Sequence, residues 1–572
     1  MARPGPAIGL LWGAFPWDEP VRKVGKLYSM GAVGRTVTRA LERCGRVIPY
    51  ARAPAGAPAE AQRAALASFM QQIDVLWADV YPGTGPALEL RQSLGLRCPA
   101  VLFAAGAMPK AAEAMLFPWQ HLLRRGDGLW LSCEADRAIW HRLVRWSALR
   151  EWVVPLAVDD TRFRPRPAAE RQAARRAFGL PATAPLLLAV GRLNIQKNLH
   201  SLLYLLAAVR RRVPETHLCF AGEEDDVVLG EFGVRNTGYV AWLRSLAAEL
   251  GVAEAISFPG PVFGEELARL YATADVAVSA TVYHRENFGL AQAEAQACGV
   301  PVVCTAWGGL QDVVRHGETG FLMEAVLTRH GIRVDWATGA QQVCALLQDE
   351  GRRTRMGRQG AAWARRRFGL HALEDGLAAI VADVTAGTGK GTAPAGGAWQ
   401  WPAYEPSPFA RRYEAHKRAC GWYEPPGAAP PAWHPGYPAM FQGQDYALYE
   451  QMMAPYATRL ARDLAAGSIG LDWVPYFPAA VRLDPRRRLA VDDDPIWPHR
   501  SYCHPTSWAV IRHVDGARSV GAIAGAVAAE TPALQLAAVK DTLRALHLEG
   551  FILFRTPHPC APRRTTRRLD VS

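Results

Sequence analysis

Along the first 385 residues, short apolar runs alternate with amphipathic helical stretches, and a chain with that rhythm must put its strands into a parallel sheet covered by helices. Residues 8–12 read as a buried strand and 35–44 as a helix with Val37, Ala40, Leu41 and Cys44 on one face, ended by Gly45. Further strands fall at 47–50 and 74–80, with a helix at about 60–72 between them. After Pro165 the rhythm restarts, with strands at 185–190, 217–221, 255–258, 276–279 and 300–304. Helices at 199–212, 240–250, 265–274 and 290–298 separate them, and 352–384 is helical and closes the second unit. The expected fold class is therefore α/β, with two successive Rossmann-like lobes.

At 572 residues the chain is too long for a single core. The expected division is an N-terminal lobe at 1–165, a second lobe at 166–385, a linker and aromatic, Pro-rich region at 386–477, a small α+β unit at 478–556 and a basic tail at 557–572. Gly, Thr, Ala and Pro dominate 385–402, the content of a flexible linker, and one helix is expected at about 445–464. The small unit reads as strands at 480–483 and 488–491, helices near 507–513, 520–528 and 534–548, and a terminal strand at 551–554. That is the order of a small winged helix-turn-helix.

A formal charge of +12 admits nucleic acid, an anionic membrane face or a phosphorylated substrate as partner, and selects none of them. A peripheral membrane contact stays open on this ground. The ten cysteines form no Cys-x-x-Cys pair, so neither a disulfide framework nor a zinc site is expected. No run reaches the roughly 18 apolar residues of a membrane span, and the apolar stretch at 7–17 lacks a basic leader and a cleavage site. A cytoplasmic location is the expectation.

Two stretches carry chemistry. In Glu286-Asn287-Phe288-Gly289-Leu290, followed by Glu294, one carboxylate sits in a loop before a helix and the other lies about two turns along. Such a pair can face one crevice at different depths, while the glycine and the helix N-terminus suit a diphosphate. Two Glu eight apart would by themselves be a solvated helix face in most proteins. The run from Gly191 and Arg192 to Lys197 and Asn198 lies between a strand and a helix, where open α/β sheets bind ligands. A guanidinium and an ammonium match the charges of a diphosphate, although alone this would be a basic surface loop.

Taken together these runs resemble the retaining glycosyltransferases of family 4, which have the GT-B fold. Val153 to Asp159 with Phe163 and Pro165 looks like that family's crossing between lobes. Further matches are Ala221-Gly222, Phe258-Pro259-Gly260, Leu270-Tyr271, Ala274-Asp275, Gly308-Gly309 and 317–321, an ordered set over about 153–325. The resemblance implies transfer of a hexosyl group from a nucleotide diphosphate sugar, with no cofactor and no metal. Arg192 and Lys197 would hold the phosphates, beside Gly191. Glu294 would bind the ribose, Glu286 would meet the transferred sugar, and the backbone of Asn287, Phe288, Gly289 and Leu290 would line the sugar and phosphate site. The family's His near the sugar has no counterpart in Phe103-Ala104-Ala105-Gly106, and His121 is read as packed or at the surface.

Residues 506–552 resemble PqqD-like domains, winged helix units that recognise leader peptides. The match runs from Thr506 through Asp515-Gly516 to Gly550-Phe551-Ile552, with Val520, Ile523 and Val527 as an i, i+3, i+7 core face. The resemblance implies a peptide or protein acceptor tethered near the catalytic crevice by the linker. A generic winged helix used only for packing is the plainer alternative. Three readings follow: a glycosyltransferase with a recruited peptide acceptor, one of polysaccharide or lipid-linked glycan synthesis with a structural tail, and a DNA-binding regulator on an inactive scaffold. Basic residues are missing from 520–528, so no DNA partner is expected.

Overall fold

The computed structural model describes residues 5–11, 28–51, 57–80, 84–104, 119–124, 126–143, 149–194, 197–224, 239–282, 286–328, 331–386, 457–458, 463–464, 467–478, 481–492 and 499–555. The first unit runs β1 (Ala7–Leu11), α1 (Tyr28–Glu42), β2 (Arg46–Pro49), α2 (Ala59–Met70), β3 (Val75–Asp79), α3 (Thr84–Ser93), β4 (Ala100–Phe103), β5 (Gly128–Leu131), α4 (Glu134–Leu143) and β6 (Arg150–Val153). Its six strands lie in the order β2-β1-β3-β4-β5-β6, every neighbour parallel.

The second unit runs α5 (Ala168–Ala177), β7 (Leu186–Val190), α6 (Leu199–Arg210), β8 (His217–Ala221), α7 (Tyr239–Glu249), β9 (Ile256–Gly260), α8 (Gly264–Thr273), β10 (Val276–Ser279), α9 (Leu290–Ala297), β11 (Val302–Thr305), α10 (Leu310–Val313) and β12 (Gly320–Met323). Its order is β12-β11-β10-β7-β8-β9, again all parallel. A hairpin of β13 (Ala325–Thr328) and β14 (Gly331–Val334) follows, then α11 (Trp336–Gln348), α12 (Glu350–Phe368) and α13 (Leu370–Ala386). The architecture is two parallel six-stranded α/β units, GT-B-like. The hairpin had no counterpart in the sequence reading.

Both faces of each sheet are sealed. In β3, Leu76 and Ala78 enter one apolar cluster while Val75 and Trp77 enter another, and β7 splits Leu187 and Ala189 from Leu186 and Leu188 in the same way. Strands apolar on both faces are the mark of a parallel sheet covered on each side, which is why these runs read as continuously hydrophobic rather than alternating.

The helical stretch read as closing the second unit divides at Gly369, and its second half goes elsewhere. In α13, Leu373, Leu377, Ile380 and Val384 form a buried stripe, and the helix packs on α1 of the first unit. Trp152 Nε1 donates to Asp383 Oδ2 at 3.0 Å and Arg43 pairs with Glu374 at 3.2 Å, while Val158 N donates to Phe368 O at 2.7 Å. The chain thus crosses twice between the units, near 154–158 and near 369.

The C-terminal unit comprises β15 (Val474–Tyr476), β16 (Val481–Asp484), β17 (Leu489–Asp492), β18 (His499–Tyr502), α14 (Pro505–Ile511), α15 (Val520–Glu530), α16 (Leu536–Leu548) and β19 (Leu553–Arg555). β16, β17 and β18 make an antiparallel sheet, and β15 pairs with β19. Val520, Ile523 and Val527 are all buried, joined by Val539, Leu543 and Phe551 in a core separate from the other two. Asp515 Oδ1 accepts from Ala517 N and Arg518 N, and Gly516 takes φ 75°, the tight turn expected between two helices. The linker, most of the expected helix at 445–464 and the basic tail lie outside the described residues.

One buried ion pair fastens the first unit. Arg91 Nη1 and Nη2 reach Asp127 Oδ1 and Oδ2 at 2.7 and 2.8 Å with both side chains fully buried, and Asp127 also accepts from Ala100 N and Arg124 N. Removing one partner strands the other charge in the interior, so Asp127→Ala should cost about 3–5 kcal/mol. Scanning calorimetry should show an earlier first transition. An unchanged profile would mean the pair contributes no net stability.

Candidate active site

β7 ends at Val190, and its continuation is held rather than loose. Gly191 N donates to Ala221 O at 3.0 Å, Leu193 N donates to Glu223 O at 2.8 Å, and Lys197 N donates to Asn194 O at 3.1 Å. Asn198 adopts a left-handed conformation at φ 51°, a geometry Asn tolerates better than most residues. Its buried Nδ2 donates to Ala280 O at 3.0 Å and its Oδ1 accepts from Ser201 Oγ at 2.8 Å. Asn198 therefore staples this loop to the end of β10.

That staple brings together two residues 89 apart in sequence. Lys197 Nζ meets Glu286 Oε2 at 2.6 Å, with side chains 24 % and 12 % exposed. Thr281 Oγ1 donates to the same oxygen at 3.5 Å. Arg192 is half-buried on the same loop, one residue beyond Gly191. A cation and a carboxylate at the carboxyl ends of neighbouring strands hold each other and can exchange that contact for an anionic ligand carrying hydroxyls.

The loop from Glu286 to Gly289 is gripped from behind. Gly309 N donates to Glu286 O at 3.0 Å, and a Cβ on Gly309 would collide with the backbone of Asn287. Gly289 caps α9 at φ 90° with the Leu310 side chain against its Cα, so only glycine is unstrained there. Phe288 is buried edge-on against Phe368, so its backbone, not its ring, belongs to the loop surface. From the first unit, Ser132 Oγ accepts from Asn287 Nδ2 at 3.1 Å, and Glu134 N donates to Asp312 Oδ2 at 3.0 Å.

Glu294 lies deeper, 7 % exposed on α9. The buried Tyr271 hydroxyl donates to its Oε2 at 3.1 Å. Burial pushes this carboxyl up to about 8, opposed by the Tyr271 hydrogen bond and the charge of Arg162. The two glutamates thus differ in environment: one sits beside an ammonium, the other in an apolar recess with a phenol.

The structure gathers Gly191, Arg192, Lys197, Glu286, Asn287, Gly289, Leu290 and Glu294 about the carboxyl ends of β7 and β10 and the start of α9. Tyr271, Thr281, Ser132 and Asp312 received no role from the sequence. Tyr271 sat in a recognised motif, whereas the Ser132 contact spans 155 residues and leaves no local trace. Asp275, another motif position, is structural: it accepts from Leu186 N and pairs with Arg171 and the buried Arg175. His121 is exposed. Among the described residues no group of three or more His, Cys, Asp and Glu is placed to hold a metal ion.

Residues 170–363 match the family model described as Glycosyl transferases group 1. The chain is 40% identical over 286 residues to a D-inositol 3-phosphate glycosyltransferase of Xylanimonas cellulosilytica, covering 50% of this chain and 62% of the relative. A relative of the same name from Stackebrandtia nassauensis is 34% identical over 260 residues, 46% of this chain and 55% of its own. The chain thus spans little more than half the length of these curated relatives. In fold it is similar to a glycosyltransferase from Rickettsia africae, with a TM-score of 0.51 at 13% identity, covering 67% of this chain and 99% of that one.

A carboxyl held near 8 in the folded protein and at its ordinary value of about 4.5 when exposed favours the folded state only while protonated. Its contribution is full below about 4.5 and is lost as pH rises through about 8. Melting temperature should therefore fall between about pH 5 and 8, and Glu294→Gln should flatten that fall. An equal slope in both proteins would place the carboxyl elsewhere.

Proposed function

We propose that the chain moves a sugar, with retention, from a nucleotide diphosphate sugar to an acceptor bound between its two α/β units. The observation that carries the reading is the Lys197–Glu286 pair at 2.6 Å, on the loop that carries Arg192 and in the stretch that leads into α9 with its buried Glu294. The domain matched at 170–363 and the names of the curated relatives support the reaction class. In this reading 1–165 is the acceptor-side lobe and 166–385 the donor-side lobe.

Arg192 and Lys197 stabilise the charge that collects on the departing diphosphate, without a metal. Glu294 accepts from the ribose hydroxyls, and Tyr271 keeps its carboxyl aimed. Glu286, released by Lys197 when the phosphates arrive, turns to the sugar hydroxyls beside an oxocarbenium-like centre. The backbone of 286–290 lines the sugar and phosphate positions. Asn287 ties this loop to Ser132 of the first unit, so closing the cleft completes the site.

Two acceptor classes have support. The relatives' name, D-inositol 3-phosphate glycosyltransferase, points to a small phosphorylated polyol. The antiparallel β16–β18 sheet with α14, α15 and α16 beside it has the element order of a winged helix, and its edge suits a peptide added as a strand. A DNA-reading role is disfavoured because α15 carries no Lys or Arg.

Mass spectrometry of reactions with a panel of nucleotide sugars, against polyol phosphates and peptides, tests donor and acceptor together. Glu294→Ala should chiefly raise the donor KM and Glu286→Ala chiefly lower kcat. Donor hydrolysis unchanged in both would remove the assigned site. Arg192→Ala and Lys197→Ala should each cost at least about 2 kcal/mol in kcat/KM. Transfer should continue in EDTA; complete loss restored by magnesium would show that a metal does the work assigned to the two cations.

A further inference from the structure

The C-terminal unit was expected to hang from its linker, yet it rests on the second α/β unit through a defined joint. Ahead of that unit, Thr458 Oγ1 donates to Glu324 Oε2 at 3.1 Å, and from β15 the Tyr476 hydroxyl donates to Asp335 Oδ2 at 3.2 Å. Asp335 is itself fixed, because its other oxygen caps α11 by accepting from Thr338 N at 3.1 Å. The buried Arg333 donates through Nη1 to Gly550 O at 2.8 Å, a cation on the carbonyl end of α16. Gly550 also lies against Thr328, so both strands of the β13–β14 hairpin meet the end of α16.

The joint's place in the sheet gives it meaning. β10, β11 and β12 are parallel and adjacent, so their carboxyl ends lie on one side, with Ser279 opposite Cys304 and Cys304 opposite Leu322. Continuing that register by two residues sets Thr281, Ala306 and Glu324 at one level. Two strand spacings separate Thr281 from Glu324, about 10 Å. Thr281 is the residue whose hydroxyl reaches Glu286. Bonds link the steps between: Thr305 Oγ1 donates to Thr281 O at 2.5 Å and Ala306 N to Met323 O at 2.7 Å.

We propose that this hydroxyl–carboxylate joint docks the C-terminal unit as a fixed wall at the carboxyl edge of the second sheet, so that whatever this unit binds is presented beside the sugar-transfer crevice. The wall role rests on the proposed function; the docking does not. A fixed wall supplies orientation, where a tether would supply only effective concentration.

The joint is also sensitive to pH. Burial, with the nearby charge of Asp335, raises the Glu324 carboxyl to about 7 against the Thr458 hydrogen bond. The other titratable and charged groups at the joint are Tyr476, Arg333 and Arg555, whose guanidinium lies 4.2 Å from the Tyr476 ring centre. A carboxyl raised above its ordinary value of about 4.5 favours docking while protonated, so docking weakens as pH rises from about 4.5 to about 7.

Hydrogen exchange of the full chain tests this. In Thr458→Val with Tyr476→Phe, which keep the packing and remove both donors, protection at 325–334 and 550–555 should drop about tenfold. Protection within twofold of the parent would overturn the joint. In the parent, protection corrected for intrinsic rates should fall between about pH 5 and 7, and Glu324→Gln should hold it level; an equal fall in Glu324→Gln would remove the pH dependence. For the wall role, UDP and GDP are added in turn. Binding that protects 286–290 should also protect 471–478 in the parent but not in the double variant. Protection confined to 286–290 would overturn the wall role, and binding of neither nucleotide would overturn both it and the donor-site reading, leaving the docking decided by the ligand-free comparison.

Discussion

A parallel sheet sealed on both faces can offer chemistry only at its ends. Here that constraint applies twice: alternate residues of β3 and β7 enter opposite apolar clusters, so neither sheet has a free face. Everything polar that could act on a ligand is pushed to the loops at the carboxyl ends of the strands. The Lys197–Glu286 pair, the Gly309 grip on the Glu286 loop and the recess of Glu294 all lie at that edge of the second sheet.

The described parts of the Lys197 and Glu286 loops are each bonded to a neighbouring element. Asn198 ties the Lys197 loop to Ala280, Gly309 holds Glu286, and Ser132 of the first unit holds Asn287. A site built this way fixes the backbone of its loops and leaves the Lys197–Glu286 contact as the part free to rearrange. The return of α13 to the first unit adds a second covalent crossing, so the two units are joined near 154–158 and near 369.

The element types and most of their positions were legible because burial on one or two faces writes a period into the chain. Strands at 217–221 and 276–279 fall where the apolar runs predicted them, and Val520, Ile523 and Val527 face a core as their spacing required. The β13–β14 hairpin was missed because Ala325 to Val334 has neither a clean period of two nor a two-residue turn signature. Residues 352–384 carry one helical pattern in the sequence, since apolar spacing continues past Gly369 and nothing local says which unit it faces.

By itself the sequence determined the two α/β units, the ordered motifs of the second, and the residue types able to hold a diphosphate and sugar hydroxyls. These depend on local periodicity and on short spacings along one strand, loop and helix. Only the tertiary structure decided that Lys197 meets Glu286, that Tyr271 backs Glu294, that Ser132 reaches Asn287 and that the C-terminal unit rests on Arg333 and Asp335, with Thr458 on Glu324. Each of those contacts joins residues far apart in the chain, and proximity across such separations is set by how the sheets and helices pack, a quantity with no period to read.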